Sequence, residues 1–520
     1  MQDFLNPITE NFFIGINDNL PPHEIGKGYF VKANNAFLAD RKIVKVAGSS
    51  AIAVAISSQL FNGFSAFENI ASASKYLIAN IDGASNAQLY QWTGSGAFTA
   101  IGSANLTNAK QMWFETAANS LYGANGTEVV DYDGTTVTKN RAGIPIVKYF
   151  SWFHNYLFGG NNSSAPNRLY WSNLGTPNTF SGANYVDVNP GDTDQIMGFG
   201  KIQDEIVVFK RNTIWSITGF SGASFSATTL ATQNTNARIF GYGTTSPFSI
   251  VPVGNDIYFF STLGNTPCIR SLKLTSFAKV LGGGIITNDI TGTMDEINRN
   301  ALEAISSGFD GRYAYWSIPT GASTTNNKII ALDTWKIQKY GGSMVYPWIT
   351  MTGKNASYIV TSTISGSGSQ VFFTNATATG KVFKIDNSIR TDDGANIEMD
   401  VITRNFSYDL ARKMKWKYCY VRYDTGVGSA LTIKARIDNA SDFGTQQAIS
   451  LLGTSPGLGP TGTFMLGIST LGGNTTTTTR VTLLHLTGKL FQIKFTESSD
   501  NEVTIHDYQV YALPKGLRAN

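Results

Sequence analysis

Short apolar runs alternate with turn residues along the chain from about residue 60 to about residue 390. Runs of roughly 4–8 aromatic and β-branched residues are typical of β-strands. Between them lie the turn pairs Asp82-Gly83, Asn125-Gly126, Asp133-Gly134 and Asp310-Gly311. Such pairs supply the positive φ that a tight hairpin requires. The pattern therefore predicts strands joined by hairpins.

A longer period is superimposed on this strand pattern. Segments of similar order start near Phe64, Lys110, Lys148, Asp194, Ser246, Ala301 and Ala356. Most contain a strongly apolar strand, predicted at 75–79, 119–123, 155–159, 205–209, 256–260 and 312–316. Clear second strands are predicted at 88–92, 127–131, 168–171, 213–217 and 328–332.

This spacing is that of a β-propeller. A repeat of roughly 40–50 residues with four strands is typical of a propeller blade, which buries its faces only against neighbouring blades. We therefore predict an all-β protein whose residues 61–394 form a propeller of about seven blades, or six if one segment has been divided. Two β-sandwiches in series are the alternative.

The regions on either side of the repeats have a different pattern. Residues 1–60, which contain apolar runs at 30–33 and 43–46, precede the first full repeat, and this segment could supply the outer strand of the last blade and so partly close the propeller. Near residue 395 the apolar and polar positions begin to alternate regularly, as in the segment 431–438. Such alternation is typical of strands with one wet face, so residues 395–520 are predicted to form a β-sandwich.

Particular side chains of this C-terminal region carry further expectations. Trp416, Tyr418 and Tyr420 are predicted to share one side of a strand, most simply the core side, and Phe491, Ile493 and Phe495 to share one side of another. The five threonines at 475–479 indicate a loop or an exposed edge.

Helices are expected to be scarce. The best candidate is 293–300, where Thr293 and Glu296 have the spacing of a capping box, although a loop is nearly as consistent with the sequence.

The composition narrows the function classes. Only 15% of the residues are charged, against roughly 25% in typical globular proteins. The net charge of +4 and the absence of a long basic run argue against a nucleic-acid-binding arm. No secretory signal and no apolar stretch of ~18 residues is visible, so we expect a soluble chain made in a cytoplasm, without membrane insertion.

Candidate chemistry is sparse. Cys268 and Cys419 suggest neither a disulfide framework nor a metal site, and His23, His154, His485 and His506 lack metal-ligand spacing. The string Gly457–Gly462 matches GxGxxG, but a Pro lies inside it and no strand–helix context surrounds it, so it is predicted to be a loop. No catalytic residue, cofactor or metal is predicted. A propeller glycosidase with paired carboxylates is the enzymatic alternative.

The most distinctive sequence lies between residues 167 and 215. It contains Arg168, Tyr170, Trp171, Ser172, Gly175, Pro177, Gly191, Asp192, Asp194, Phe209, Lys210, Arg211 and Trp215. The order of these residues resembles the propeller-forming tail hub or nozzle proteins of short-tailed bacteriophages, also described as stabilisation or head-completion proteins. Val207 and Thr213 depart from that family's usual Leu and Ser. The segments 15–23 and 508–518 are also similar to that family.

The resemblance implies a structural role without chemistry. Similar proteins form a six-copy ring below the portal and its adaptor in the virion tail, after assembly in the host cytoplasm. The ring retains packaged DNA, forms the ejection channel and carries fibres or spikes. DNA would pass without sequence-specific binding, so we expect a neutral or acidic ring lumen. A distal tail or receptor-binding component that contacts host sugar is the alternative within this class.

Overall fold

Five short strands precede the repeats. The computed structural model describes the chain except residues 1–5, 40, 103–104, 190, 192, 204, 219–234, 241, 265, 278–283, 341–342, 365, 367, 409, 426–429, 451–476, 483–485 and 516–520. The first strands are β1 (Ile8–Glu10), β2 (Phe30–Asn34), β3 (Ala36–Ala39), β4 (Lys42–Lys45) and β5 (Gly48–Ala51).

Seven antiparallel sheets then follow one another along the described part of the chain. The first four are β6 (Phe61–Asn69), β7 (Ser74–Ile81), β8 (Gln88–Trp92) and β9 (Thr99–Ala100); β10 (Trp113–Ala117), β11 (Ser120–Ala124), β12 (Val129–Tyr132) and β13 (Val137–Lys139); β14 (Tyr149–Phe153), β15 (Tyr156–Asn162), β16 (Ala165–Trp171) and β17 (Tyr185–Asp187); and β18 (Ile196–Ile202), β19 (Glu205–Lys210), β20 (Thr213–Ile217) and β21 (Thr235–Phe240).

The remaining three sheets include short helices and an inserted hairpin. The fifth sheet has β22 (Val251–Val253), β23 (Asp256–Leu263) and β24 (Thr266–Ser271); the sixth has β25 (Ser306–Phe309), β26 (Tyr313–Ile318), β27 (Lys328–Asp333) and β30 (Trp348–Thr352), with the hairpin β28 (Gln338–Tyr340) and β29 (Ser343–Val345) inserted; the seventh has β31 (Ala356–Ser362), β32 (Gln370–Asn375), β33 (Val382–Asp386) and β5. The helices are α1 (Leu272–Phe277), α2 (Thr291–Asp295) and the 3-10 turns Pro247–Ser249, Asn288–Ile290, Leu302–Ala304 and Thr334–Lys336.

The first strands of these sheets contact one another in chain order, and β31 contacts β6, so the described sheets close into a ring. Separate apolar clusters fill the spaces between neighbouring sheets. This arrangement confirms the all-β propeller, and the predicted strand pairs lie in the second and third strands of their sheets. The blade number stays a prediction, because the fifth sheet has three described strands and the sixth merges with strands outside the ring.

Close approach of the first strands requires small residues. A Cβ atom on Gly308 of β25 would lie 2.5 Å from the side chain of Ile359 on β31. A Cβ atom on Gly200 of β18 would likewise lie 2.5 Å from the side chain of Ile257 on β23. Real Cβ atoms do not approach this closely, so glycine at these positions allows neighbouring sheets to pack at the centre of the ring.

The C-terminal region forms a β-sandwich, as predicted. Its strands are β34 (Thr391–Asp392), β35 (Ala395–Asn396), β36 (Met399–Thr403), β37 (Met414–Thr425), β38 (Ala430–Ile437), β39 (Gly444–Ser450), β40 (Thr477–Thr482), β41 (Thr487–Gly488), β42 (Phe491–Glu497) and β43 (Val503–Pro514), of which β34 and β35 extend the seventh propeller sheet. One sandwich sheet has the order β3-β4-β43-β37-β40, with β1 and β41 alongside, and the other has β2-β36-β42-β38-β39.

Both ends of the chain therefore build the sandwich. Val421 and Val510 from one sheet and Ile433 and Phe495 from the other are fully buried in one apolar cluster. The sheet that contains β2 continues through parallel pairing of Asn34 with Thr350 into the sixth propeller sheet. The propeller and the sandwich thus share one nine-stranded sheet.

The N-terminal segment supplies the outer strand of the seventh sheet through Gly48–Ala51. The runs at 30–33 and 43–46 lie in the sandwich as β2 and β4, whereas Gly48–Ala51 pairs with β33. The segment 48–51 has no apolar run. Its place in the seventh sheet follows from backbone pairing with β33.

The prediction that Trp416, Tyr418 and Tyr420 share one strand face was wrong. The register of β37 against β43 shifts between Trp416 and Tyr418, which marks a β-bulge. A bulge adds one residue and reverses the alternation of side chains beyond it. Trp416 is consequently buried against Phe491, whereas Tyr418 and Tyr420 are half-buried on the outer face. Phe491, Ile493 and Phe495 share the core face, as predicted.

The predicted helix at 293–300 is shorter and is capped differently. Helix α2 spans Thr291–Asp295, and no capping box forms. Instead, the Asp18 carboxylate accepts hydrogen bonds from the Gly292 and Thr293 amides at 2.8 Å each and from the Thr293 hydroxyl at 2.6 Å. A residue of the N-terminal segment therefore satisfies the amides at the start of this helix.

Other expectations fall partly outside the described residues. Residues 477–479 lie in β40, at the edge of its sheet, in agreement with the predicted edge position. Residues 475–476 and the string Gly457–Gly462 lie outside the described residues. No helix in the described part of the chain is long and apolar enough to cross a membrane.

A buried ion pair joins β4 to the C-terminal strands. The Lys45 ammonium lies 2.6 Å from Oε2 of Glu497, and both side chains are fully buried. Lys45 also donates to the carbonyl of Ser499, and Glu497 accepts from the Ser499 amide at 2.6 Å. The pair therefore fixes the register between the two ends of the chain.

Replacement of Lys45 by Met should lower the free energy of unfolding of the sandwich by about 3–5 kcal/mol, because Glu497 would keep a buried charge without its partner. Denaturant unfolding followed through the fluorescence of buried Trp416 measures this loss. The double variant Lys45→Met/Glu497→Gln should recover most of it. A double variant as unstable as the single one would contradict the interpretation.

Replacement of Asp18 by Ala should destabilise helix α2 by about 1 kcal/mol, because two helix amides lose their acceptor. Hydrogen exchange of residues 288–297 measures the effect and should become faster. Asp18→Asn keeps a hydrogen-bond acceptor and removes only the charge of a carboxyl group whose pKa burial raises. Hydrogen exchange of the helix should therefore change less in Asp18→Asn than in Asp18→Ala. Equal exchange in Asp18→Ala and the unmodified protein would show that Asp18 does not cap this helix.

Candidate functional site

The residues of the family-like motif lie in the third and fourth propeller sheets. Arg168 on β16 forms a two-point ion pair with Asp187 on β17, at 2.6 and 2.9 Å, and its guanidinium lies 3.9 Å from the Tyr185 ring centroid. The Arg168 pKa is raised by its hydrogen bonds to Asp187. Tyr170 is half-buried, and Trp171 is fully buried in the core between the two sheets. These residues hold the outer strands of the third sheet together.

The next motif residues form the loop that follows β16. The Ser172 hydroxyl is buried, accepts from the Leu157 amide at 2.9 Å and donates to the Asn173 carbonyl. Gly175 has a φ of +69°, and its amide donates to Asn155. Pro177 is buried in the same loop. The Ser-x-x-Gly-x-Pro spacing therefore corresponds to one loop tied to the β14–β15 hairpin.

The third part of the motif shapes the turn between β19 and β20. One Asp194 oxygen accepts from the amide of Arg211 at 3.1 Å, and the other accepts from that of Asn212 at 2.7 Å. Lys210 is fully buried and donates to the Val188 carbonyl at 3.1 Å. The side chain of Arg211 remains exposed at the end of this turn.

The remaining motif residues lie in the core and at the surface of the same two sheets. Phe209 packs in the core with Phe259, whose ring centroid is 5.1 Å away, and Trp215 is half-buried. Gly191 is exposed, and Asp192 lies outside the described residues. The motif is thus distributed over two sheets and a turn, and it does not converge on a single pocket.

A pocket of about 700 Å³ lies where the sixth and seventh sheets meet the N-terminal segment. Its lining includes Trp335, Arg312, Tyr313, Lys354 and Gln370. The Trp335 side chain is 72% exposed, yet its indole donates to the Gly311 carbonyl at 2.9 Å, and the Arg312 guanidinium lies 5.3 Å from its ring centroid. This indole is therefore held in a fixed position while most of its surface faces solvent.

The carboxylates of this pocket have structural partners. Asp310 accepts from the amides of Arg312 and Tyr313 at 2.8 and 2.6 Å, and from the Tyr315 hydroxyl at 2.7 Å. Asp386 accepts from the amide and hydroxyl of Ser388, and these bonds lower the Asp386 pKa. Asp310 occupies the turn that the Asp-Gly pair at 310–311 predicts, and Asp386 ends β33. Both carboxylates therefore bond to groups of their own turns.

A shallow depression lies on the outer face of the sandwich, beyond the β-bulge. It is lined by Tyr420, Arg422, Asp507, Gln509 and Tyr511. The Tyr420 and Tyr511 rings meet edge to face with centroids 5.5 Å apart. Arg422 and Asp507 form an ion pair at 2.5 Å beside them. Aromatic rings next to fixed polar groups make this surface suitable for a ligand that has both apolar and hydroxylated faces.

Three of the four histidines lie in the described part of the chain, each in a different setting. His506 lies 2.6 Å from Asp424, His23 lies 3.5 Å from Glu24, and His154 is in the β14–β15 turn. His485 lies outside the described residues. Within the part of the chain that the structure describes, no three His, Cys, Asp or Glu residues are grouped as a metal site.

Sequence reasoning missed the exposed residues that the structure singles out. Trp335 follows the apolar strand β27 within the polar turn Thr334–Lys336, and a tryptophan in such a turn was the available signal. Tyr511 alternates with buried Val510 and Ala512 on β43, and this alternation was the available signal.

Comparisons with known proteins are consistent with this absence of a strong signature. No protein-family model matches the chain, and no curated protein matches it significantly. Among solved structures, the WD40 domain of Pan2 from Neurospora crassa has a TM-score of 0.38 and 9% identity, covering 66% of this chain and 97% of that domain. PorZ from Porphyromonas gingivalis, a surface component of a type-IX secretion system, has a TM-score of 0.34 and 9% identity, covering 62% of this chain and 38% of its own. At this level of similarity, nothing about activity or partners carries over.

Proposed function

We propose that this protein is a structural subunit of a phage tail hub or nozzle ring, which helps to retain packaged DNA, forms part of the ejection channel and attaches fibres or spikes. The family-like motif between residues 167 and 215 supports this proposal, because its residues serve the architecture of two propeller sheets. The proposed partners are further copies of the chain, portal and adaptor proteins, and fibres or spikes, in a virion tail.

The observation that carries the assembly role is the exposed apolar surface of the segment between β27 and β30. Trp335 is 72% exposed and Met344, on the inserted hairpin, is 46% exposed. Tryptophan and arginine are enriched among the residues that dominate binding at protein interfaces, and Trp335 lies beside Arg312. Because its indole is already held by Gly311, little side-chain entropy would be lost when a neighbouring subunit covers it.

The union of propeller and sandwich is also suited to a wall subunit. The shared nine-stranded sheet and the Lys45–Glu497 pair connect the two parts through backbone pairing and a buried contact. Two domains joined only by a linker would move relative to each other by default. A continuous sheet instead transmits load between a ring contact on one part and a contact on the other.

Purified protein should form rings visible by negative-stain electron microscopy, and Trp335→Ala should reduce the ring fraction at least tenfold, since a central interface tryptophan contributes about 2 kcal/mol or more. Ile70→Ala is the matched control, because Ile70 is 79% exposed in the turn between β6 and β7, away from Trp335 in sequence and sheet. Monomers of the unmodified protein at every concentration tested, or rings unchanged by Trp335→Ala, would contradict this role for Trp335.

A second candidate function is contact with host-surface sugar, in a distal tail or receptor-binding component. The outward Tyr420 and Tyr511 favour it, because sugar rings stack on aromatic faces while their hydroxyls bond to neighbouring polar groups such as Gln509 and Asp507. The β-bulge supports this candidate, since it is what brings tyrosines of a core strand to the surface.

A glycan array probed with the purified protein tests this second function. Tyr511→Ala should lower binding to any recognised glycan by about tenfold, because one aromatic stacking contact contributes roughly 1 kcal/mol or more. Tyr76→Ala on the first propeller sheet is the control and should leave binding unchanged. An array without specific signals, or one on which Tyr511→Ala binds equally well, would exclude the sandwich face as a sugar site.

A further inference from the structure

A group of cationic side chains meets at one mouth of the propeller ring. Lys148 directly precedes β14, and Lys110 lies shortly before β10. Arg211 occupies the β19–β20 turn, which is at the same end of its sheet as the start of β18. Because the first strands surround the axis of the ring, residues at their starts lie around the entrance to its centre.

Lys110 and Lys148 border a pocket of about 500 Å³. Its lining consists of Ala109, Lys110, Gln111, Asn125, Gly126, Thr127, Lys148, Asn161, Ser163, Glu303 and Ala304. The volume falls in the range of small-molecule sites. The lining is mainly cationic, amide and hydroxyl in character, so it suits a polar ligand with hydroxyl groups.

The backbone fixes Lys148 at the seam between the second and third sheets. Its amide donates to the Gly160 carbonyl at 3.0 Å, and the carbonyl of the preceding Val147 accepts from Gly126 at 3.0 Å. The stem of Lys148 lies against Gly126, where a Cβ would be 3.6 Å from Lys148 Cβ. The ammonium is therefore presented to the pocket from a rigid backbone.

The Lys148 ammonium lacks a hydrogen-bonding partner within the described part of the chain. It lies 5.6 Å from the centroid of the Tyr149 ring. Burial lowers the Lys148 pKa; Glu303 raises it, and the positive charges of Lys110 and Arg211 lower it further. Three cations thus act at this mouth against one carboxylate, and Lys148 is half-buried rather than extended into solvent.

A buried hydroxyl provides an independent observation. Tyr149 is 1% exposed, and its hydroxyl has no hydrogen-bond partner among the described residues. Burial raises the Tyr149 pKa, on which the charges of Glu303 and Arg211 also act. Buried polar groups in folded proteins are normally paired, so the residue whose ring the Lys148 ammonium approaches carries an unsatisfied buried hydroxyl.

We propose that this mouth of the propeller is a binding site for a small hydroxylated oxyanion, a sugar phosphate or a sugar acid, held chiefly by Lys148. The phosphate or carboxylate lies between Lys148 and Lys110, where it neutralises excess positive charge to which Arg211 also contributes. Gln111, Thr127 and Ser163 bond the hydroxyl groups. This site is separate from the exposed tryptophan and from the sandwich tyrosines, and it does not depend on the proposed ring.

Isothermal titration calorimetry of the full chain at constant ionic strength tests the site with glucose 6-phosphate, glucuronate and glucose. Saturable binding of either anionic sugar, with glucose at least about tenfold weaker, is expected, because charge-assisted hydrogen bonds are the stronger contacts here. Comparison of the affinities for glucose 6-phosphate and glucuronate shows whether phosphate or carboxylate is the preferred group. Equal affinity for glucose and both anionic sugars, or no saturable binding of either anionic sugar, would overturn the proposal.

Variants of Lys148 and Glu303 test whether the sugar binds in this pocket. Lys148→Met should weaken the anionic sugar at least about tenfold, Lys148→Arg should keep most of the affinity, and Glu303→Gln should raise it up to about fivefold, because one opposing charge is removed. Lys273→Met on the exposed side of helix α1 is the matched control and should bind like the unmodified protein. If Lys148→Met does not fold, Glu303→Gln decides, since an unchanged affinity in that folded variant would place the ligand elsewhere.

Discussion

The fold depends on the pairing of the N-terminal segment with strands that come much later in the chain. β5 closes the propeller by pairing with β33, while β1 and β4 pair with β43 and β2 pairs with β36. A ring of sheets that is held closed only by side-chain packing between its first and last members can open at that seam. Here the seam lies inside the seventh sheet, and backbone hydrogen bonds cross it.

The same segment explains why the two architectural parts behave as one body. The propeller and the sandwich are joined by a shared sheet, because β2 lies beside β30 in the sheet that also contains β25–β27. Lys45 then joins the sandwich core through Glu497. The surfaces with functional potential are distributed over this single frame: the exposed tryptophan, the outer tyrosines and the cationic mouth.

Much of the propeller could be predicted because its signals are local. The second strand of each repeat is apolar on both faces, and Asp-Gly or Asn-Gly pairs mark the hairpins, so periodicity and turn chemistry suffice. The cap of helix α2 could not be predicted in this way, since Asp18 and Gly292 are brought together only by the tertiary fold. The same limit applies to Gly48–Ala51, which has no apolar pattern, and to Tyr420, whose direction depends on one extra residue in the ladder. Exposed and long-range features therefore had to come from the structure, and most candidate site residues are of this kind.

Use of both chain ends in one sandwich affects the order in which the protein can fold during synthesis. Residues 8–45 leave the ribosome before the propeller strands, yet their partners in β36, β42 and β43 are made only after the whole propeller. The strands β1–β4 must therefore wait with unpaired edges, which are prone to association with other chains. The propeller sheets made in the interval pair mainly with their sequence neighbours, so they can form in succession as the chain emerges. Completion of the sandwich is consequently the last step, and a truncated chain that lacks β43 would leave its beginning exposed.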